Sequence, residues 1–96
     1  PLRAGSGDDE YLRALDAVVE PAVRSFVPDL LLVSAGFDAH ADDPLAQMEV
    51  TAAGFRELAR RCAGLAPRVA AVLEGGYNLA TLPSLVAAAL EGFELE

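Results

Sequence analysis

Residues 29–40 read DLLLVSAGFDAH, and this stretch decides the fold class of the chain. Its first part, Asp29 to Val33, is a short apolar run that does not alternate with polar residues. Such a run predicts a β-strand buried on both faces, as in a parallel sheet. The glycine, aspartate and histidine that follow it predict a polar loop at the end of the strand.

A second apolar run of the same kind, Val69 to Leu73, is followed by the loop Glu74-Gly75-Gly76-Tyr77-Asn78. Between the two runs, Thr51 is a suitable N-cap for a helix that Pro67 would end. The interval therefore predicts one crossover helix between two strands.

Helical spacing of apolar residues predicts two further helices. The first has acidic residues 8–10 at its N-terminus and apolar residues from Tyr11 to Phe26, and the second runs from Leu79 to Phe93. Pro21 should kink the first of them or split it near Val19–Glu20. The order is helix-strand-helix-strand-helix. It indicates an α/β fold with a right-handed crossover and helices on both faces of a parallel sheet. Two strands are too few for a stable sheet core, so we expect further strands upstream in a longer protein.

The charge balance excludes several classes of function. Fifteen acidic and seven basic residues give a formal net charge of −8, which disfavours binding to nucleic acid. No apolar run reaches the ~20 residues of a membrane-spanning helix, so no membrane partner is expected. A single cysteine, Cys62, excludes an intramolecular disulfide framework and fits a cytoplasmic protein.

Ligands of parallel sheets bind beyond the carboxyl ends of the strands. The two loops that leave these ends should therefore share one site, and their polar residues are its candidates: Asp38, His40, Glu74 and Tyr77.

Each candidate has a functional and a structural interpretation. The Asp38 carboxylate can ligate a metal, act as a base, or cap a turn, and His40 stands at Asp-x-His spacing from it or serves the loop. Gly75 and Gly76 can permit a positive-φ turn, let a substrate lie against the backbone, or expose amides to an anion. Tyr77 is either a packed loop aromatic or a phenol that donates to a developing oxyanion. Glu74 could be catalytic, but it is expected to accept loop amides.

The segments PDLLLVSAGFDAHADDPLA (28–46) and LEGGYNL (73–79) together resemble the C-terminal part of the histone deacetylase family. The similarity is greatest to its class II-like bacterial branch, with histone deacetylase-like amidohydrolases and acetylpolyamine amidohydrolases. It implies an arginase–deacetylase-type, three-layer parallel-sheet fold. Residues 1–96 would be the C-terminal part of one catalytic domain whose N-terminal part is missing.

The resemblance also implies a function and roles for the candidates. The activity would be zinc-dependent hydrolysis of N-acetyl-lysine or an acetylpolyamine. Asp38 would be a zinc ligand and Tyr77 the catalytic tyrosine, with Gly75 and Gly76 beside the substrate. The family's Asp-x-His ligand pair and tandem histidines are expected upstream, so His40 would not be a ligand and the 96 residues alone would be inactive. The alternative is a non-catalytic α/β module that binds a small ligand or a protein.

Overall fold

The structure is a computed structural model that describes residues 1–95. Its first helical region contains α1 (Asp8–Ala14), a π-helical segment (Leu15–Val19) and α2 (Glu20–Phe26). The predicted interruption before Pro21 is confirmed. Proline has no N–H to donate to the preceding turn, and the helix widens into the π-helical segment immediately before it.

Strands β1 (Leu30–Ala35) and β2 (Arg68–Leu73) pair in parallel, with Leu30 opposite Arg68 and Ala35 opposite Leu73. Helix α3 (Ala52–Ala63) lies between them in the chain, and α4 (Leu82–Glu94) follows β2. The predicted order of elements and the α/β class are therefore confirmed. Among residues 1–95, no helix is both long enough and apolar enough to cross a membrane.

The start of α3 is fixed by two side chains. Thr51 Oγ1 accepts a hydrogen bond from Gly54 N at 3.1 Å, which confirms the predicted N-cap. Asp8, in the first turn of α1, in turn accepts from Thr51 N at 2.8 Å and from the Thr51 hydroxyl. This carboxylate therefore ties α1 to the N-terminus of α3.

The core lies between the loop after β1 and the two later helices. It contains Val50, which is fully buried, and Phe37 and Phe55, whose rings meet edge to face with centroids 5.0 Å apart. Helix α4 contributes Leu85 and Ala89 to the same cluster. The loop that carries the polar candidates is thereby anchored in the core by Phe37.

The sheet is exposed on one face and partly covered on the other, where Leu73 is still 56% exposed. In β1 the partly buried residues alternate with exposed ones, and Leu32 is 64% exposed. Leu30 and Val72, on the same face as Leu32, are also exposed. The expectation that both faces are buried is thus wrong for this chain, because α3 and α4 pack on each other and cover a single face of two strands.

Candidate active site

The loops after β1 and β2 lie side by side at the carboxyl edge of the sheet. Phe37 N donates to Gly75 O at 2.8 Å, and Glu74 N donates to Ala35 O at 2.9 Å. These backbone hydrogen bonds extend the pairing of the two strands into their loops. The two loops therefore lie together as expected, and their sharing of one site stays a prediction.

Asp38 and Tyr77 converge on the space beside Gly75. A Cβ atom placed on Gly75 would lie 3.2 Å from Asp38 Oδ1 and 3.3 Å from the Tyr77 hydroxyl oxygen. The same Asp38 oxygen would lie 3.2 Å from a Cβ atom on Gly36. The two glycines thus leave room for a carboxylate and a phenol to occupy one small region without a side chain between them.

Gly76 adopts a backbone conformation that favours glycine, whereas Gly75 lets the side chains of Asp38 and Tyr77 come close to the backbone. Gly76 has a φ of +143°, which side-chain-bearing residues rarely adopt, and a Cβ atom there would lie 2.7 Å from Leu82 Cδ1. Gly75 has no such positive φ, and its value lies in the missing side chain. Of the explanations offered for paired glycines, the structure shows a positive φ at Gly76. Contact with a substrate stays a prediction for both.

Asp38 is partly buried and lies near the phenol of Tyr11. Burial, together with the negative charge of Asp38, raises the pKa of Tyr11 above its ordinary value. Tyr11 comes from α1 and packs against the core. Sequence reasoning placed Tyr11 only on an apolar helix face. The carboxylate of Asp38 therefore has a phenol from α1 near it as well as Tyr77.

Tyr77 itself is 51% exposed. About half of the residue is therefore covered, and the choice between a packed loop aromatic and an oxyanion donor stays a prediction.

His40 serves the turn after β1. Its Nδ1 accepts a hydrogen bond from Asp42 N at 3.3 Å, and its own N–H donates to Phe37 O at 3.2 Å. It also forms a parallel β-bridge with Val50. These contacts agree with the loop interpretation of His40.

Glu74 does not have the role expected of it. Within the described part of the chain, no loop amide donates to its carboxylate, and the residue is exposed at the end of β2. Asp43 accepts loop amides instead: Oδ1 accepts from Leu45 N at 2.9 Å, and Oδ2 accepts from Tyr77 N at 2.8 Å. The expected acceptor was at the end of the strand, whereas the observed one lies in the other loop.

Asp43 is the residue of the site that sequence reasoning missed. Its hydrogen bond from Leu45 N lies within its own loop, next to Pro44. Burial opposes ionisation of this carboxyl, but backbone N–H groups outweigh burial and hold the pKa of Asp43 below its usual value; they belong to Tyr77, Leu45, Ala46 and Asn78. An Asp-Pro pair in a loop predicts a turn. It does not predict a hydrogen bond with Tyr77, which lies 34 positions further along the chain.

The side chains near Asp38 do not form a complete metal site. Within residues 1–95, no three His, Cys, Asp or Glu side chains come together in a way that could hold a metal ion. A catalytic zinc normally has three protein ligands and an open position. Asp38 fits the role of one anionic oxygen ligand, and the other ligands would have to come from outside the described residues.

Comparison with known proteins agrees with this geometry. Residues 1–93 match the family described as the histone deacetylase domain. A probable deacetylase of Archaeoglobus fulgidus is 39% identical to this chain, in an alignment that covers 99% of this chain. Histone deacetylase 10, chloroplastic, of Oryza sativa subsp. japonica is 47% identical over 97% of the chain. The chain spans 29% and 22% of these two relatives, respectively.

The crystal structure of an acetylpolyamine aminohydrolase from Burkholderia pseudomallei superimposes on 99% of the chain with a TM-score of 0.87 and 33% sequence identity. The chain covers 28% of that structure. The chain therefore belongs to the histone deacetylase domain family. Its two strands and its helices are a portion of the arginase–deacetylase-type α/β fold, as the sequence predicted.

Proposed function

We propose that residues 1–96 are the C-terminal part of the catalytic domain of a zinc-dependent deacetylase. The reaction is hydrolysis of the amide bond of an acetylated amine, either N-acetyl-lysine or an acetylpolyamine. The convergence of Asp38 and Tyr77 beside Gly75 carries the proposal, because a metal-ligating carboxylate and an oxyanion donor must reach the same reacting group. Membership of the family supports it.

In this proposal Asp38 supplies one zinc ligand, and an upstream part of the domain supplies the others. When bound, the zinc ion supplies Lewis-acid polarisation of the amide carbonyl and activation of water. Asp38 is suited to this role because its carboxylate is at the edge of the sheet and only partly buried. The chain alone, with one such ligand, is proposed to be inactive.

Tyr77 acts on the carbonyl oxygen. As water adds to the carbonyl carbon, the oxygen gains negative charge, and the Tyr77 hydroxyl donates a hydrogen bond to it. The attacking water gives a proton to a general base, and the amine nitrogen receives a proton from a general acid, both upstream of this chain. The C–N bond then breaks, and the amine and acetate are released. Gly75 and Gly76 carry no side chains, so the acyl group can approach the backbone at this point.

The substrate class follows from what the relatives' names share. One relative is named a histone deacetylase, and a structural neighbour is named an acetylpolyamine aminohydrolase. Both names imply an acetylated amine on a flexible, basic molecule. The net charge of −8 on this chain supports such a substrate, because an acidic surface attracts basic molecules. We place the activity in the cytoplasm, in keeping with the single cysteine.

Tyr77→Phe in the complete catalytic domain tests the proposal. The substitution removes one hydroxyl and keeps the ring, so kcat on an acetyl-lysine or acetylpolyamine substrate should fall about 10²–10³-fold. Zinc content and the unfolding midpoint should stay at the wild-type values, since the phenol is not a zinc ligand in this proposal. A kcat near that of the wild type would refute the oxyanion role of Tyr77.

A further inference from the structure

The Asp43 carboxylate joins the two loops of the site. It is buried, with 7% of the residue exposed, and it lies in the turn that follows β1. One oxygen accepts from Leu45 N within its own loop, and the other accepts from Tyr77 N in the loop after β2. One side chain therefore fixes its own turn and the backbone of the proposed catalytic residue.

The Tyr77 backbone needs an external support. Gly76, directly before it, has a φ of +143° and no side chain to restrict rotation. The Tyr77 ring is half exposed, so packing alone does not fix its direction. On the other side, Asn78 Nδ2 donates to Asp42 O at 3.0 Å, which holds the neighbouring residue against the same turn.

A carboxylate suits this position better than a neutral group. A hydrogen bond from an N–H to an ionised acceptor is about twice as strong as a neutral one. Both oxygens of Asp43 accept from backbone N–H groups on different loops. An asparagine would present an NH2 group to one of these two donors, and that hydrogen bond would be lost.

Resting on the proposed function, we infer that Asp43 is a positioning residue, which holds the Tyr77 backbone so that the phenol meets the reacting carbonyl. Asp43 does not touch the substrate in this inference. It acts only through Tyr77. Loss of its hydrogen bond should therefore lower kcat and leave KM and the zinc content unchanged.

The test is a double-mutant cycle in the complete, zinc-loaded catalytic domain. Asp43→Asn should lower kcat about 10- to 100-fold, because displacements near 1 Å cost rates of this size. Where Tyr77 is already Phe, the same substitution should change kcat less than about twofold, since the group that it positions is gone. Asp42→Asn is the matched control: its carboxylate is exposed in the same loop and accepts neither hydrogen bond, so kcat should stay at the wild-type value.

Equal losses of kcat in the wild-type and Tyr77→Phe backgrounds would overturn the inference, because Asp43 would then act on the fold or on another group. Loss of activity in Tyr77→Phe with full activity in Asp43→Asn would overturn it as well and leave the proposed function intact. A fully active Tyr77→Phe would instead refute the proposed function.

Two further measurements apply if Asp43→Asn does not fold. Asp43→Glu keeps the charge and displaces the acceptor by one methylene, so it should show the same dependence on Tyr77. In the wild-type enzyme, the Tyr77 amide should exchange slowly with solvent although its side chain is half exposed. Rapid exchange of that amide would contradict the hydrogen bond and the inference with it.

Discussion

Gly75 makes room at the proposed site because it has no side chain. Its missing Cβ leaves the space between the Asp38 carboxylate and the Tyr77 hydroxyl, both within 3.3 Å of that position. Asp38 is held there because its neighbour Phe37 is buried in the core. Phe37, through its burial, and Gly75, through its lack of a side chain, thus help to place the two groups that the proposed chemistry uses.

Asp38→Asn tests whether the Asp38 carboxylate is a zinc ligand. Replacing an anionic oxygen by a neutral amide weakens attraction to Zn²⁺, so the affinity for zinc should fall by about 10- to 100-fold or more. Metal content after dialysis and turnover should both fall below the wild-type values. The control is Asp42→Asn, four residues further along the same loop, which should retain its zinc. Full metal content in Asp38→Asn would return Asp38 to the role of a turn-capping residue.

The pairing of α3 with α4 depends on a glycine. A Cβ atom on Gly92 of α4 would lie 2.1 Å from the backbone oxygen of Arg56 in α3, and 2.9 Å from Ala59 Cβ. At these distances the two helix backbones approach so closely that only a hydrogen atom fits. Glycine is unfavourable inside a helix by ~1 kcal/mol relative to alanine, so packing outweighs helix propensity at this position.

Gly92→Ala should therefore destabilise the protein although alanine is the better helix former. Overpacking of this kind costs about 1–3 kcal/mol, to be read from the denaturant midpoint of the purified protein. Gly64→Ala, at the exposed C-cap of α3 with a φ of −86°, is the matched control and should change stability by less than about 0.5 kcal/mol. A Gly92→Ala protein as stable as the wild type would contradict the close approach of the helices.

Local signals predicted the elements well and their contacts less well. Thr51 and Pro21 act within one helical turn, and both behave as their chemistry requires. The last helix begins at Leu82 instead of Leu79, because Asn78 forms a turn first: its Oδ1 accepts from Ala80 N and its O accepts from Thr81 N. Asparagine is common in such turns, and the apolar spacing alone did not reveal it.

In the site, too, features that depend on nearby residues were predicted, and a contact between distant residues was not. Asp38 and Tyr77 follow strand ends, so parallel pairing alone brings their loops together. The link from Asp43 to Tyr77 crosses 34 residues and depends on the final register of the loops. The sequence of either loop does not reveal that register. Glu74 was therefore expected to accept the loop amides that Asp43 accepts in the structure.

For the whole molecule, the important expectation is that the chain supplies only one ligand, Asp38, to the proposed zinc site. Catalytic zinc normally requires three protein ligands. The polypeptide of residues 1–96 alone should thus show no nanomolar zinc site in a calorimetric titration and no deacetylase activity. A one-to-one nanomolar site in the folded polypeptide would contradict this and bring His40 back as a ligand.

The hydrogen bond from Tyr77 to Asp43 has a consequence for protein synthesis. A ribosome adds about 5–20 residues per second, so the 34 positions between these residues take roughly 2–7 s to translate. For most of that interval β1 has been synthesised and β2 has not, so β1 lacks the strand that later pairs with it. We therefore expect a nascent chain that ends before Arg68 to pair with other chains more readily than one that extends beyond Leu73.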